Sequence, residues 1–145
     1  MVTDYRVKIK IVLRAIKSPC VKISVDNQQQ VCQIDRLTEF DYDFVTNNST
    51  VDICVEHFNK HNTDSETAVE IVSIEFFDIS DPAFAWAGTY RPDYPEPWYS
   101  QQTIKPASSL PGQTYLGWNG VYRLEVSVPV FEWMHKKLAM GWIYR

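Results

Sequence analysis

The sequence predicts an all-β fold, a β-sandwich or jelly roll with a long proline- and aromatic-rich loop or arm and one short C-terminal helix. Two observations predict it. Short runs in which apolar and polar residues alternate recur at intervals of about ten residues, and helical windows are few. Between Asp78 and Gly120 the chain holds six of its eight prolines and eight aromatic residues, a composition that blocks long helices and central strands.

The predicted strands follow one another through the first half of the chain. Residues 5–15 alternate over eleven positions with basic side chains on one face, as in a long strand with one solvated face. Lysines on an exposed face are also a common guard against pairing at a sheet edge. Further strands are predicted at 20–25, 31–34, 40–44, 51–56 and 67–77, with a hairpin loop at 26–30 and a polar loop at 59–65. The strand at 67–77 is apolar on both faces, which indicates a central strand with a bulge near Ile71 and Val72.

The second half is predicted to close the sandwich. Asn119-Gly120 lies between runs 114–118 and 121–128, and this pair is the strongest short signal for a hairpin turn. Pro129 stops the second run, and the spacing that follows favours a helix over 131–139, before an apolar end at 142–144 that we expect to pack down. We therefore divide a single domain into a sandwich body (1–77), an aromatic loop or arm (78–120) and a closing strand with the C-terminal segment (121–145).

Composition excludes several classes of partner. The chain has 145 residues, 45% of them hydrophobic and 22% charged, as in one soluble domain. A net charge of −4 argues against a nucleic-acid partner, and no apolar run is long enough to cross a membrane. The N-terminal residues lack the apolar core of a signal peptide. We therefore expect synthesis in a cytoplasm, with Cys20, Cys32 and Cys54 reduced.

Charge is distributed unevenly along the chain. Residues 1–25 carry six basic and one acidic side chain, whereas residues 26–96 carry three basic and fifteen acidic ones. Such asymmetry either orients subunits and steers a partner or reflects charge pairs across neighbouring strands. Both interpretations stay open on the sequence alone.

No metal site is predicted, although two patterns resemble one. Cys54, His57 and His61 have metal-like spacing, but an odd separation on a strand directs Cys54 and His57 to opposite faces. Glu132 and His135 match half of a di-iron helix motif, which needs a helical bundle with further carboxylates. We predict neither a metal nor any other cofactor.

Carboxylates in loops leave two further alternatives. Asp64, Asp78 and Asp81 have the oxygen ligands that calcium prefers, yet such residues more commonly cap turns. The pairs Asp41 with Asp43 and Asp78 with Asp81 satisfy the minimal requirement of a glycosidase, so a small hydrolase is a disfavoured alternative. Since no nucleophile elbow or phosphate loop is present, we predict no enzyme and no catalytic residue.

The aromatic loop supplies the candidate binding residues. They are Trp86, Tyr90, Arg91, Tyr94, Trp98 and Tyr99. Their rings can stack on sugars beside neighbouring carboxylates, anchor a protein interface or hold the loop against its own domain. Pro95 and Pro97 keep the rings extended, and such pre-ordering lowers the cost of binding a partner.

Residues 5–77 resemble the non-catalytic carbohydrate-binding modules of the jelly-roll type. The resemblance is carried by the strand at 21–27, the alternation at 40–44, and the strand at 51–55 followed by Phe58-Asn59, Asp64 and the strand at 71–74. It implies a sugar-binding sandwich, whose calcium-dependent members hold sugar hydroxyls through loop carboxylates and the metal. Here Asp64 alone falls in a comparable loop, and the loop disulfide of the family has no counterpart.

The chain also resembles small virion proteins of tailed bacteriophages. This resemblance is carried by residues 74–82, Trp118-Asn119-Gly120 and residues 141–144. It implies a non-catalytic structural protein, a capsid decoration or a tail or neck component. We accordingly predict a virion protein made in the host cytoplasm that contacts other virion proteins and further copies of itself. A carbohydrate-binding module with a glycan partner is the alternative.

Overall fold

The computed structural model describes residues 3–138, and within this range the chain folds into two antiparallel sheets packed face to face. The strands are β1 (Tyr5–Ile16), β2 (Cys20–Val25), β3 (Gln28–Gln33), β4 (Thr38–Thr46), β5 (Thr50–Phe58), β6 (Ala68–Phe76), β7 (Ile79–Ser80), β8 (Thr89–Pro92), β9 (Leu110–Pro111), β10 (Tyr115–Leu116) and β11 (Gly120–Ser127). The helices are α1 (Pro82–Trp86) and α2 (Val130–Lys137). The predicted sandwich with a short C-terminal helix is confirmed. The apolar end at 142–144 lies outside the described residues.

The strand order places the longest strand inside its sheet. Sheet A runs β10-β6-β1-β4 with β7 added to β6, and sheet B runs β3-β2-β5-β11-β8-β9. β1 therefore has neighbours on both sides, and its lysines do not guard an edge. Alternate side chains of both sheets point into one core, where Ile9, Leu13, Ile23 and Ile53 are fully buried.

Ion pairs between exposed side chains cover the outer face of sheet A and the ends of its strands. Arg6 contacts Asp43 on the neighbouring strand at 2.6 Å. The other pairs are Lys8–Asp78, Lys10–Glu39, Arg14–Glu70 and Lys17–Glu66, at 2.9, 3.9, 3.3 and 2.5 Å. Arg6–Asp43, Lys10–Glu39 and Arg14–Glu70 join neighbouring strands, as cross-strand pairing predicts, whereas Asp78, Lys17 and Glu66 lie beyond the strand ends. Because these side chains are exposed to solvent, the pairs add little to the free energy of unfolding.

Two local predictions meet different outcomes. The bulge in β6 is confirmed, since Val12 pairs with Ser73 and Leu13 with Ile71, which leaves Val72 as the extra residue. The hairpin loop at 26–30 is wrong in length. Only Asp26 and Asn27 form the turn, because Asp26 adopts a φ of 52° and Asx residues tolerate the two-residue hairpin.

The predicted hairpin at Asn119-Gly120 is wrong. β10 pairs with β6 in sheet A while β11 lies in sheet B, so the chain crosses between the sheets over residues 117–119. Gly120 has a φ of +156°, and a Cβ there would lie 2.5 Å from the Arg91 carbonyl oxygen. The glycine permits close approach to β8 and does not form a turn.

Helix α1 was not predicted, although its start carries a sequence signal. The Asp81 carboxylate accepts a hydrogen bond from the Ala83 N–H, and Pro82 occupies the first turn. Phe84 of α1 packs on Phe76 at 5.4 Å between ring centroids, and Trp133 of α2 packs on Phe76 at 5.3 Å. Both helices therefore close one side of the core. No helix within residues 3–138 has the length and hydropathy to span a bilayer.

Candidate functional site

The segment between β8 and β9, residues 93–109, folds back on itself. The Tyr99 N–H donates to the Pro95 carbonyl at 2.9 Å, and the Tyr94 hydroxyl donates to the Ala107 carbonyl at 2.8 Å. The Ser100 N–H and hydroxyl both donate to Glu96 Oε2, at 3.2 and 2.5 Å. Hydrogen bonds within the segment thus fix its shape before any ligand is bound.

Four aromatic side chains lie together, three from this segment and one from the crossover at residues 117–119. They are Tyr94, Trp98, Tyr99 and Trp118, and we call them the ring cluster. The rings of Tyr94 and Tyr99 stack with 5.8 Å between centroids and 8° between planes. Trp98 bridges the group, with its centroid 5.6 Å from that of Tyr94 and 6.0 Å from that of Trp118. These separations are typical of favourable aromatic pairs.

A lysine covers each end of the ring cluster. Lys60 Nζ lies 4.6 Å from the Trp118 ring centroid, and Lys105 Nζ lies 4.7 Å from that of Tyr99. Lys105 also donates to the Tyr99 carbonyl at 2.6 Å. These cation–π contacts fix the orientation of the two terminal rings.

Two grooves flank the ring cluster and share part of their lining. The first, of about 340 Å³, is lined by Pro92, Asp93, Tyr94, Glu96, Tyr99, Pro106 and Ser108. The second, of about 220 Å³, is lined by Lys60, His61, Asn62, Asp93, Tyr94, Pro95, Glu96, Trp118 and Asn119. Asp93, Tyr94 and Glu96 belong to both grooves, so the two form one surface that combines rings with carboxylates. Small-molecule sites commonly combine aromatic walls with a few placed polar groups.

The crossover from β10 to β11 positions Trp118. The Tyr90 hydroxyl hydrogen-bonds to the Trp118 carbonyl, and Lys60 Nζ donates to the Gly117 carbonyl at 2.6 Å. Asn119 pairs with the backbone of Lys60 through both ends of its amide, at 2.8 and 2.9 Å. The Trp118 N–H also donates to the Tyr90 hydroxyl at 3.2 Å, so five side-chain to backbone bonds hold the three residues that carry the chain between the sheets.

His57 supports the same crossover from inside the core. Its Nδ1 lies 2.9 Å from the Leu116 carbonyl oxygen, and because a carbonyl only accepts, Nδ1 carries the proton. His57 is fully buried, and its Nε2 has no hydrogen-bond partner within the described chain. Burial lowers the pKa of the imidazole and the nearby Lys60 lowers it further, so His57 stays neutral.

The structure separates the predicted site residues into two groups. Tyr94, Trp98 and Tyr99 come together in the ring cluster, and Trp98 is 38% exposed. Their predicted partner or ligand remains a proposal.

The other three predicted residues lie elsewhere. Tyr90 is 2% exposed and belongs to the core, so no partner reaches its ring. Trp86 is 61% exposed at the end of α1, outside the ring cluster. Arg91 lies on the outer face of sheet B, where a separate groove of about 390 Å³ is lined by Thr89, Arg91, Val121, Arg123 and Glu125.

Sequence reasoning missed Lys60, Lys105 and Trp118 as members of this site. Lys105 lies six residues beyond Tyr99 in the same proline-rich stretch, so proximity in sequence was an available signal. Lys60 and Trp118 reach the cluster only because residues 60 and 119 pair across the fold. No sequence pattern indicates that pairing.

The positions of the residues considered for metal binding do not favour a metal site. His57 points into the core while Cys54 lies on the opposite face of β5, as their odd spacing predicts. The Asp64 carboxylate accepts hydrogen bonds from the Thr67 hydroxyl and from the N–H groups of Thr67 and Glu66, which hold its pKa far below the usual range. Residues 3–138 contain no group of three His, Cys, Asp or Glu side chains placed to hold a metal ion.

Three of the four carboxylates in the two proposed pairs have partners in the fold. Asp43 binds Arg6, Asp78 binds Lys8 at 2.9 Å, and Asp81 caps α1. The alternative interpretation of Asp64 and Asp81 as turn and helix caps is confirmed.

Comparison with known proteins identifies a similar fold. No family model and no curated protein matches this sequence. Among solved structures, the chain resembles one described as vCBM60 in complex with galactobiose, with a TM-score of 0.50 and 16% sequence identity. The match covers 80% of this chain and 95% of that one. The likeness supports the predicted carbohydrate-binding-module-like sandwich, and the comparisons give no support to a bacteriophage origin or a virion role.

Proposed function

We propose that this chain is a non-catalytic carbohydrate-binding module whose ligand lies against the ring cluster. The observation that carries the proposal is the groove of about 340 Å³ in which the stacked rings of Tyr94 and Tyr99 meet the carboxylates of Asp93 and Glu96. The similar solved structure supports it, because that protein was obtained with galactobiose.

The chemistry of the groove suits a sugar. A pyranose has apolar C–H groups on its faces and hydroxyl groups around its rim, so it needs flat apolar area beside hydrogen-bond acceptors. The tyrosine rings provide the flat area. Within residues 3–138 the Asp93 carboxylate makes no hydrogen bond or ion pair, and Glu96 uses only its Oε2. Free carboxylate oxygens accept strong hydrogen bonds from hydroxyl donors.

The same groove offers little for catalysis. Asp93 and Glu96 lie on an open surface, and neither carboxylate is buried. A catalytic acid normally requires an environment that raises its pKa, such as burial in an apolar pocket. The arrangement therefore supports binding without bond cleavage.

Segment 93–109 is already ordered in the free protein, so that a small contact surface is enough for tight binding. Association orders side chains and loops, and each ordered group lowers the affinity. Here the hydrogen bonds of Tyr94, Tyr99 and Ser100 and the lysine contacts fix the rings in the free protein. Little ordering is left for the binding step.

Affinity electrophoresis tests the proposal on single-residue variants. Native gels containing galactan, xylan or a β-glucan should retard the wild-type chain in at least one case. Tyr99→Ala should weaken that retardation by about tenfold or more, since an aromatic anchor contributes about 2 kcal/mol. Trp86→Ala is the matched control, because Trp86 is exposed but lies outside the ring cluster.

Melting temperatures of the variants separate binding from folding. We expect both variants to stay folded, since neither ring belongs to the core. Retardation of the wild-type chain by no polysaccharide, or equal losses in Tyr99→Ala and Trp86→Ala, contradicts the proposal.

A further inference from the structure

Two sheet edges of the described chain are long enough to pair with another strand. β4 forms one edge of sheet A over nine residues, and β3 forms one edge of sheet B over six. The other peripheral strands, β7, β9 and β10, have two residues each, and β9 includes Pro111. Short strands and proline are the usual protections of a sheet edge.

The two long edges differ in charge. β4 places Glu39, Asp41 and Asp43 on its exposed face, and charged side chains on an edge strand oppose edge-to-edge pairing. β3 reads Gln-Gln-Gln-Val-Cys-Gln and contains neither a charged residue nor a proline. Five of its six side chains are exposed, and Val31 is 63% exposed. Charge protects the edge of β4, whereas nothing in the sequence of β3 protects its own.

The hydrogen-bond alternation shows which backbone groups of β3 face outward. The Ile34 N–H donates to the Pro19 carbonyl at 3.1 Å, which makes these two residues a hydrogen-bonded pair beside β2. In an antiparallel ladder such pairs alternate. The N–H and C=O groups of Gln29, Val31 and Gln33 therefore point to the free edge.

We propose that β3 pairs antiparallel with β3 of a second copy about a two-fold axis at Val31. In this register Val31 faces Val31, and Gln29 faces Gln33 on both sides of the axis. All three pairs use outward-facing backbone groups, and each exchanges two N–H···O bonds. The pairing also covers the exposed valine. The other long edge, that of β4, carries acidic side chains and does not pair with a further copy. The assembly therefore closes as a dimer.

The dimer leaves the ring cluster free. The segment 93–109 joins β8 to β9, which lie at the opposite edge of sheet B from β3. A pair of copies therefore carries two ring clusters at opposite ends of one continuous sheet. A pairing over six residues buries less than a standard interface, so we expect weak and reversible association.

Sedimentation velocity with a reducing agent tests the pairing. The wild-type mass should rise from monomer to dimer between about 10 µM and about 1 mM protein. Val31→Lys should remain monomeric, since it places two ammonium groups together at the axis. Val72→Lys is the matched control, because Val72 is 41% exposed on β6 of sheet A, away from β3, and it should dimerise like the wild-type chain.

Amide hydrogen exchange on the wild-type chain gives a test that needs no variant. Protection of the Gln29, Val31 and Gln33 amides should increase with protein concentration, while the amides of β4 stay unchanged. A wild-type chain that stays monomeric overturns the proposal. So do dimerisation of Val31→Lys, loss of dimer in Val72→Lys, or growth beyond the dimer.

Discussion

A neutral imidazole beneath the crossover makes the stability of the protein sensitive to pH. His57 donates from Nδ1 to the Leu116 carbonyl, and burial lowers its pKa in the folded state. Below a pH of about 6.5 the unfolded chain binds a proton at this residue that the folded chain does not bind. The free energy of unfolding therefore falls as pH decreases below about 6.5, until the folded pKa is reached.

His57→Asn separates this titration from the hydrogen bond. Asparagine can donate from nearly the same position as Nδ1 but does not titrate. Urea unfolding at pH 7.5 and pH 5.5 should show a loss of stability in the wild-type chain, at most about 1.4 kcal/mol per pH unit. The variant should lose less over the same interval, although it starts from a lower stability. Parallel slopes for the two proteins would show that another group controls the pH dependence.

At the scale of elements, the approach of β8 to β11 depends on one glycine. Gly120 adopts a φ of +156°, and a Cβ there would lie 2.5 Å from the Arg91 carbonyl oxygen and 2.7 Å from the Pro92 Cα. Gly120→Ala should therefore cost about 2 kcal/mol or more of unfolding free energy. Chemical denaturation measures this cost.

Gly117→Ala is the control for that measurement. Its added Cβ would lie 3.3 Å from a carbon of the Tyr115 ring, which is exposed and can move. We expect a cost below about 1 kcal/mol. Equal losses of unfolding free energy in Gly120→Ala and Gly117→Ala would show that the contact of Gly120 with the backbone of β8 does not determine the loss.

Periodicity predicted the elements with a regular pattern but not the connections between sheets. The alternation over 5–15 and the bulge at Val72 follow from local sequence and are confirmed. Asn119-Gly120 satisfies the local rule for a hairpin, yet β10 joins β6 in sheet A because its pairing is decided by contacts distant in sequence. Local turn chemistry does not contain that information.

At the scale of the whole molecule, the site depends on residues brought together by the fold. Tyr94, Trp98 and Tyr99 could be predicted, since an aromatic stretch stiffened by proline indicates a structured loop. The sequence does not separate Tyr90 from them, because β8 has only four residues, too few for alternation to show that its ring points inward. Trp118 belongs to the site only because the crossover from β10 to β11 places it beside Trp98. The virion role depended on a resemblance, not on any contact that the structure shows.

Titration of the tryptophan indole N–H signals by NMR shows directly whether a sugar binds at the ring cluster. Single Trp→Phe variants assign the signals, and galactobiose, xylobiose and cellobiose are added in turn. We expect one of these sugars to shift the signals of Trp98 and Trp118, which belong to the ring cluster, and to leave those of Trp86 and Trp133 in place. Shifts centred on Trp86, or no shift with any of the three sugars at millimolar concentration, would contradict carbohydrate binding at the ring cluster.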